Sequence, residues 1–141
     1  MKKLFLTAII ALGGLVSVQA QTPEVQPAPA DNKVAEIKFE KETHDFGVIP
    51  QGTPATYEFV FKNTGKTPLI ITNASASCGC TTPDWTREPI KPGKTGTVKA
   101  TYNAASPGTF TKSVTVVSNA KNSTVLLYLK GDVKPAEAPK Q

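Results

Sequence analysis

The chain of 141 residues is short of the side chains most enzymes use. It has a single histidine, His44, a single tryptophan, Trp85, and two cysteines, and its one methionine is Met1. One histidine with Asp45 beside it and no G-x-S-x-G sequence leaves no hydrolytic triad. No glycine-rich loop precedes a helix to cradle phosphate. Strong charge of one sign is missing too: 16 basic residues face 11 acidic ones, for a net charge of +5, and two of the lysines lie at the extreme N-terminus. That mild excess, with no aromatic and basic residues interleaved along one segment, argues against nucleic acid as a partner. The composition therefore points away from conventional catalysis and gives no reason to expect a cofactor.

Long apolar runs are also absent, apart from residues 4–18 (LFLTAIIALGGLVSV). This run follows Lys2 and Lys3, is short for a bilayer span and ends in Val18-Gln19-Ala20, small residues placed as a signal peptidase requires. The reading is a signal peptide over 1–20, cleaved after Ala20, hence export to the periplasm or the extracellular space with no stable transmembrane anchor afterwards. No cysteine follows the run, which disfavours lipid attachment. Residues 21–35 (QTPEVQPAPADNKVA) and 135–141 (PAEAPKQ) are rich in proline and alanine and read as a linker and a disordered tail. One domain, residues 36–134, lies between them.

Within that domain the signal is repeated strand and no helix. Tyr57, Phe59 and Phe61 alternate with Glu58, Val60 and Lys62, the period of a strand with one buried face. Val98, Ala100 and Tyr102 repeat the pattern, as do Val114 and Val116, while 69–71 and 125–129 are denser apolar runs. Pro50-Gln51-Gly52, Asn63-Thr64-Gly65, Pro92-Gly93, Pro107-Gly108 and the segment 118–122 punctuate them. About seven short strands predict an all-β, immunoglobulin-like antiparallel β-sandwich; a small closed barrel is the alternative.

Three stretches carry a resemblance. HDFGVIPQGTPATYEFVFKNTGKTPLII, SCGCTTP and IKPGKTGTVKATYN resemble a family of secreted proteins of Bacteroidota with HDFG and CGC-T motifs, domain of unknown function 1573. More distantly they are similar to the Ig-like domains of hydin and major sperm protein. The resemblance implies fold and compartment and assigns no mechanism.

An up-and-down strand order sorts the loops onto two poles. One gathers Lys66, Lys91, Lys94 and Lys121, with Arg87 at its edge, a binding candidate for an anionic surface or simply a solvated face. The other holds Cys78-Gly79-Cys80. The strand bearing His44 leads into this pole, and Trp85 follows the pair by five residues.

Export favours pairing of the two thiols. As a staple the bond is weak, since closing a three-residue loop is worth roughly 1.6 kcal/mol against about 4.7 for a hundred-residue loop. Three readings follow: a local disulfide that shapes a binding loop, perhaps with Trp85; a thiol–disulfide exchange site at Cys78 and Cys80; or a Cu(I) or Zn(II) site of Cys78, Cys80 and His44. No lysine or arginine adjacent in sequence lowers a thiol pKa. The sequence favours a non-enzymatic binding or structural module of the cell envelope whose partner is a protein or another surface component.

Overall fold

The computed structural model of the chain describes residues 34–137. The expected signal peptide and most of the expected linker lie outside the described residues. Eight strands follow in order: β1 (Ile37–Phe39), β2 (Thr43–Pro50), β3 (Ala55–Asn63), β4 (Ile71–Ala76), β5 (Thr81–Trp85), β6 (Thr95–Tyr102), β7 (Gly108–Ser118) and β8 (Thr124–Lys134). They form two four-stranded sheets, β1-β3-β6-β5 and β2-β8-β7-β4, with all ladders antiparallel except β2 against β8.

Alternation along the strands builds the core. Phe59 and Phe61 of β3, Val98, Ala100 and Tyr102 of β6, Val114 and Val116 of β7, and Leu127, Leu129 and Val133 of β8 are buried, and the residues between them are more exposed. Each fully buried aliphatic or aromatic side chain contributes about 1.5–3 kcal/mol through removal of its surface from water. No disulfide bridges the two sheets; the only one among the described residues joins Cys78 to Cys80. The sheets are held face to face by packing.

The strand count exceeds the expected seven because the first strand is divided. β1 pairs with β3 in one sheet; after residues 40–42 the chain crosses over and β2 pairs with β8 in the other. Local chemistry shapes β2. The backbone N–H of Gly47 donates to Asp45 Oδ1 (2.8 Å), Gly47 sits at φ +66°, and the β2–β8 register shifts between Asp45 and Val48. An aspartate turning the backbone into a glycine in the left-handed region makes a bulge that bends the strand.

The apolar run 69–71 also divides. Leu69 pairs with Ile90 in an isolated bridge, and the β4–β7 ladder begins only at Ile71. Near this bridge lies the fully buried Asn63. Its Nδ2 donates to the carbonyls of Thr67 (2.8 Å) and Ile90 (2.9 Å), and its Oδ1 accepts from the N–H of Gly65 (2.9 Å). One amide thereby ties two loop segments, β3–β4 and β5–β6, into the base of the sandwich.

The two poles form as the strand order requires. At one, Gly52 N–H donates to Ala104 O, Gln51 N–H to Lys134 O, and Asn103 N–H to Cys80 O. At the other, Asn63 N–H donates to Lys94 O and Lys121 N–H to Ala35 O. Val34 and Ala35, at the end of the proline-rich segment, pack onto this second pole, where Ala35 is buried.

Candidate functional site

The Cys78–Cys80 disulfide lies in the four-residue connection 77–80 between β4 and β5. Those strands belong to different sheets, so the loop is a crossing between the layers. Three backbone hydrogen bonds fix it without help from the sulfurs: Ser77 N–H donates to Ser113 O (2.9 Å), Thr81 N–H to Cys78 O (3.4 Å) and Asn103 N–H to Cys80 O (2.9 Å). Both cysteines are half-buried, and Cys80 packs against the core. Gly79 at the tip is exposed, and a Cβ there would meet nothing within 4 Å.

Thr81, the first residue of β5, is buried, with 4 % of its surface exposed. Its hydroxyl lies 3.9 Å from Cys78 Sγ and 4.0 Å from Cys80 Sγ. The sequence offered no reason to single out this threonine. Only the turn of the chain out of the loop places its Oγ1 under both sulfurs.

His44 stands elsewhere. It is the second residue of β2, and its imidazole lies flat on Tyr57 of β3, with centroids 3.6 Å apart and planes 6° apart, and edge-on to Phe46 at 4.6 Å. Among the described residues, no group of three or more His, Cys, Asp and Glu side chains is arranged to hold a metal ion. The structure thus joins Cys78 to Cys80 and does not bring His44 to them. Burial, and next the Lys41 ammonium, lower the His44 pKa below its usual 6.5, with Asp45 opposing.

Trp85 is also set apart from the cysteines. β5 carries it four residues along the strand, toward the other pole, where it packs half-buried against the core. The Arg87 guanidinium covers its ring at 3.6 Å from the centroid and pairs with Asp84 at 3.3 Å. The Asp84 carboxyl is held below its usual range first by the Trp85 backbone N–H and then by Arg87. Trp85 Nε1 is buried without a hydrogen-bond partner. The arrangement is a lid over the sandwich, with the ring covered and not presented.

Lys66, Lys91, Lys94 and Lys121 all lie exposed in the loops of the second pole. Among the described residues none of the four forms an ion pair, and their backbone groups close the loops. They are set around that pole.

Two sheets packed over one apolar core, seven of whose strands extend the chain up and down and one of whose edges switches layer, define an all-β sandwich of Ig-like and PapD-like type. The chain belongs to the family described as protein of unknown function (DUF1573), whose model matches residues 37–133. No curated protein matches it in sequence. Among solved structures, it is similar to a protein of unknown function from Porphyromonas gingivalis W83, with a TM-score of 0.65 at 16% identity over 75% of this chain and 50% of that one. It is also similar to the ASH/PapD-like domain 7 of human CEP192, with a TM-score of 0.61 at 11% identity over 89% of this chain and 100% of that one. The secreted serine protease VesC of Vibrio cholerae shares the fold over 25% of its length, with a TM-score of 0.55 at 17% identity. The chain spans half of the Porphyromonas protein and a quarter of the protease. At these identities the likeness is one of fold.

Proposed function

We propose that the protein is an exported β-sandwich module of the bacterial cell envelope that binds another protein through the outer face of the β2-β8-β7-β4 sheet, a face with no catalytic role. The observation that carries this reading is the exposure of Leu126 (45 %) and Tyr128 (37 %) side by side on β8. The ladder sets Leu126 opposite Thr115 and Tyr128 opposite Ser113, and Thr115 in turn opposite Ser75 of β4. Side chains alternate along strands, so these residues share the solvent face. Between Thr124 and Tyr128 the face of β8, β7 and β4 carries no Lys, Arg, Asp or Glu. A patch with apolar and tyrosine side chains among small hydroxyls and free of charge is what the centre of a protein interface contains. The signal-like N-terminus supports export.

The test is site-specific photocrosslinking in intact cells with a benzophenone side chain at position 128. A discrete crosslinked partner is expected, lost in Leu126→Asp. Equal crosslinking with and without that substitution, in a protein that melts at the same temperature, would refute the assigned face. For export, fractionation and N-terminal sequencing should give a mature chain that starts at Gln21.

A further inference from the structure

The feature that the binding face leaves unused is the Cys78–Cys80 loop and the threonine beneath it. A hydroxyl as buried as that of Thr81 ordinarily finds an oxygen or nitrogen partner, because an unsatisfied buried donor is costly. Here its hydrogen-bond partners are the two sulfurs, at 3.9 and 4.0 Å. Disulfide sulfur is a weak acceptor, whereas a thiolate is a charged and far better one. The site is therefore better matched to a reduced pair with one ionised sulfur than to the disulfide.

Two further placements agree. β4 and β7 pair Ala76 with Val114, and the bond from Ser77 N–H to Ser113 O carries the pairing one residue further, so the same register continued would set Lys112 of β7 opposite Cys78. Lys112 belongs to the alternating set Phe110, Val114 and Val116 and is half-buried. A lysine cation at that register position favours a neighbouring thiolate. None of the three backbone hydrogen bonds of the loop uses a sulfur atom, so none of them is broken directly when the S–S bond opens. Above them Gly79 leaves the tip open to an approaching chain.

We infer that Cys78–Cys80 is a thiol–disulfide exchange site that accepts two electrons from a dithiol of another polypeptide. The partner's first thiolate bonds to Cys78 Sγ, the less deeply packed of the two. The Cys78–Cys80 bond breaks, and Cys80 Sγ leaves as a thiolate held by the Thr81 hydroxyl. The partner's second thiol gives up its proton and attacks its own sulfur in the mixed disulfide, which releases Cys78. The partner dithiol is oxidised to a disulfide, Cys78 and Cys80 are reduced to a dithiol, and two protons move with the two electrons. This inference does not depend on the Leu126–Tyr128 face.

The test equilibrates the mature protein with mixtures of reduced and oxidised glutathione at about millimolar concentration and counts free thiols by mass spectrometry after alkylation. The expected result is reversible reduction with an unchanged circular dichroism spectrum. Thr81→Val should shift the equilibrium at least about fivefold toward the disulfide, the worth of one hydrogen bond, and Thr81→Ser should restore it. In a second arm a reduced peptide with a single cysteine, C-x-x-A, is added to the oxidised wild type and the mixture is quenched by alkylation; the peptide thiolate displaces Cys80, so the mixed disulfide should map to Cys78 and not to Cys80. A pair that stays oxidised throughout the glutathione range would overturn the inference. So would an equilibrium that Thr81→Val leaves unmoved, because a merely structural threonine would alter melting and not the thiol count.

Discussion

The imidazole of His44 lies parallel to the Tyr57 ring at 3.6 Å, and through this stack the edge strand β2 of one sheet is joined to β3 of the other. Phe46 and Phe59 meet the same two rings edge-on, at 4.6 and 4.9 Å. Burial, and next the Lys41 ammonium, disfavour the imidazolium form of this ring.

Stability should accordingly fall in mild acid. The folded-state pKa of His44 lies below 6.5, so between that value and 6.5 the unfolded chain binds more protons than the folded one. This contribution is fully present above pH 6.5 and is lost as pH falls toward the folded pKa. Urea midpoints measured from about pH 8 down to about pH 5 should decline in the wild type and decline less in His44→Phe. His44→Ala should cost about 1–2 kcal/mol at neutral pH through the lost aromatic pair and its burial. Identical pH profiles for wild type and His44→Phe would show that the ring does not carry this dependence.

Asn63 should be among the most sensitive positions. Its side chain satisfies two carbonyls and an amide at a site with no exposure. Asn63→Ala leaves these groups without partners, and a loss of about 3 kcal/mol is expected, since each stranded buried group costs about 1–3 kcal/mol. Chemical denaturation against Asn119→Ala, whose amide serves exposed groups, provides the comparison.

Gly47 tests the bulge. Gly47→Ala places a side chain at φ +66°, where nothing lies within 4 Å of the added carbon, so the penalty is conformational alone. A loss of about 1–2 kcal/mol is expected. Gly131→Ala should be at least as harmful for a different reason, because its Cβ would meet the Gly47 carbonyl and the Phe110 ring, both at 2.9 Å. A Gly47→Ala variant as stable as the wild type would remove the bulge from the account of how β2 is shaped.

Replacing both cysteines should matter little to the fold. Cys78→Ser with Cys80→Ser opens a ring of three residues, and calorimetry should register a change under about 2 kcal/mol. A collapse of the melting transition would mean that the bond, and not its backbone hydrogen bonds, shapes the loop.

Much of this was readable in the sequence because it depends on local pattern. The period-two alternation of Tyr57–Phe61 and Val98–Tyr102, the turn residues between segments and the lack of helical periodicity lead directly to an all-β sandwich, and each of those runs is a strand. A disulfide between Cys78 and Cys80 was one of three readings of the pair, favoured by the export expected from the N-terminus, and the structure joins them. The division of the first strand was less legible: the segment bearing His44 read as a single strand, and whether it stays in one sheet depends on which neighbour each half can reach. Trp85 follows the cysteines closely in sequence, but a strand separates neighbours at about 3.3 Å per residue, which carries it toward the other pole.

The sequence by itself determined the fold class, the two poles and the cysteine pair, because alternation, turn chemistry and spacing are properties of short segments. Only the tertiary structure decided that His44 serves an aromatic stack, that Asn63 ties the base together and that Thr81 lies under both sulfurs. Each of these joins strands or loops whose relative position comes from long-range pairing and from the packing of two sheets, which short-range pattern does not encode.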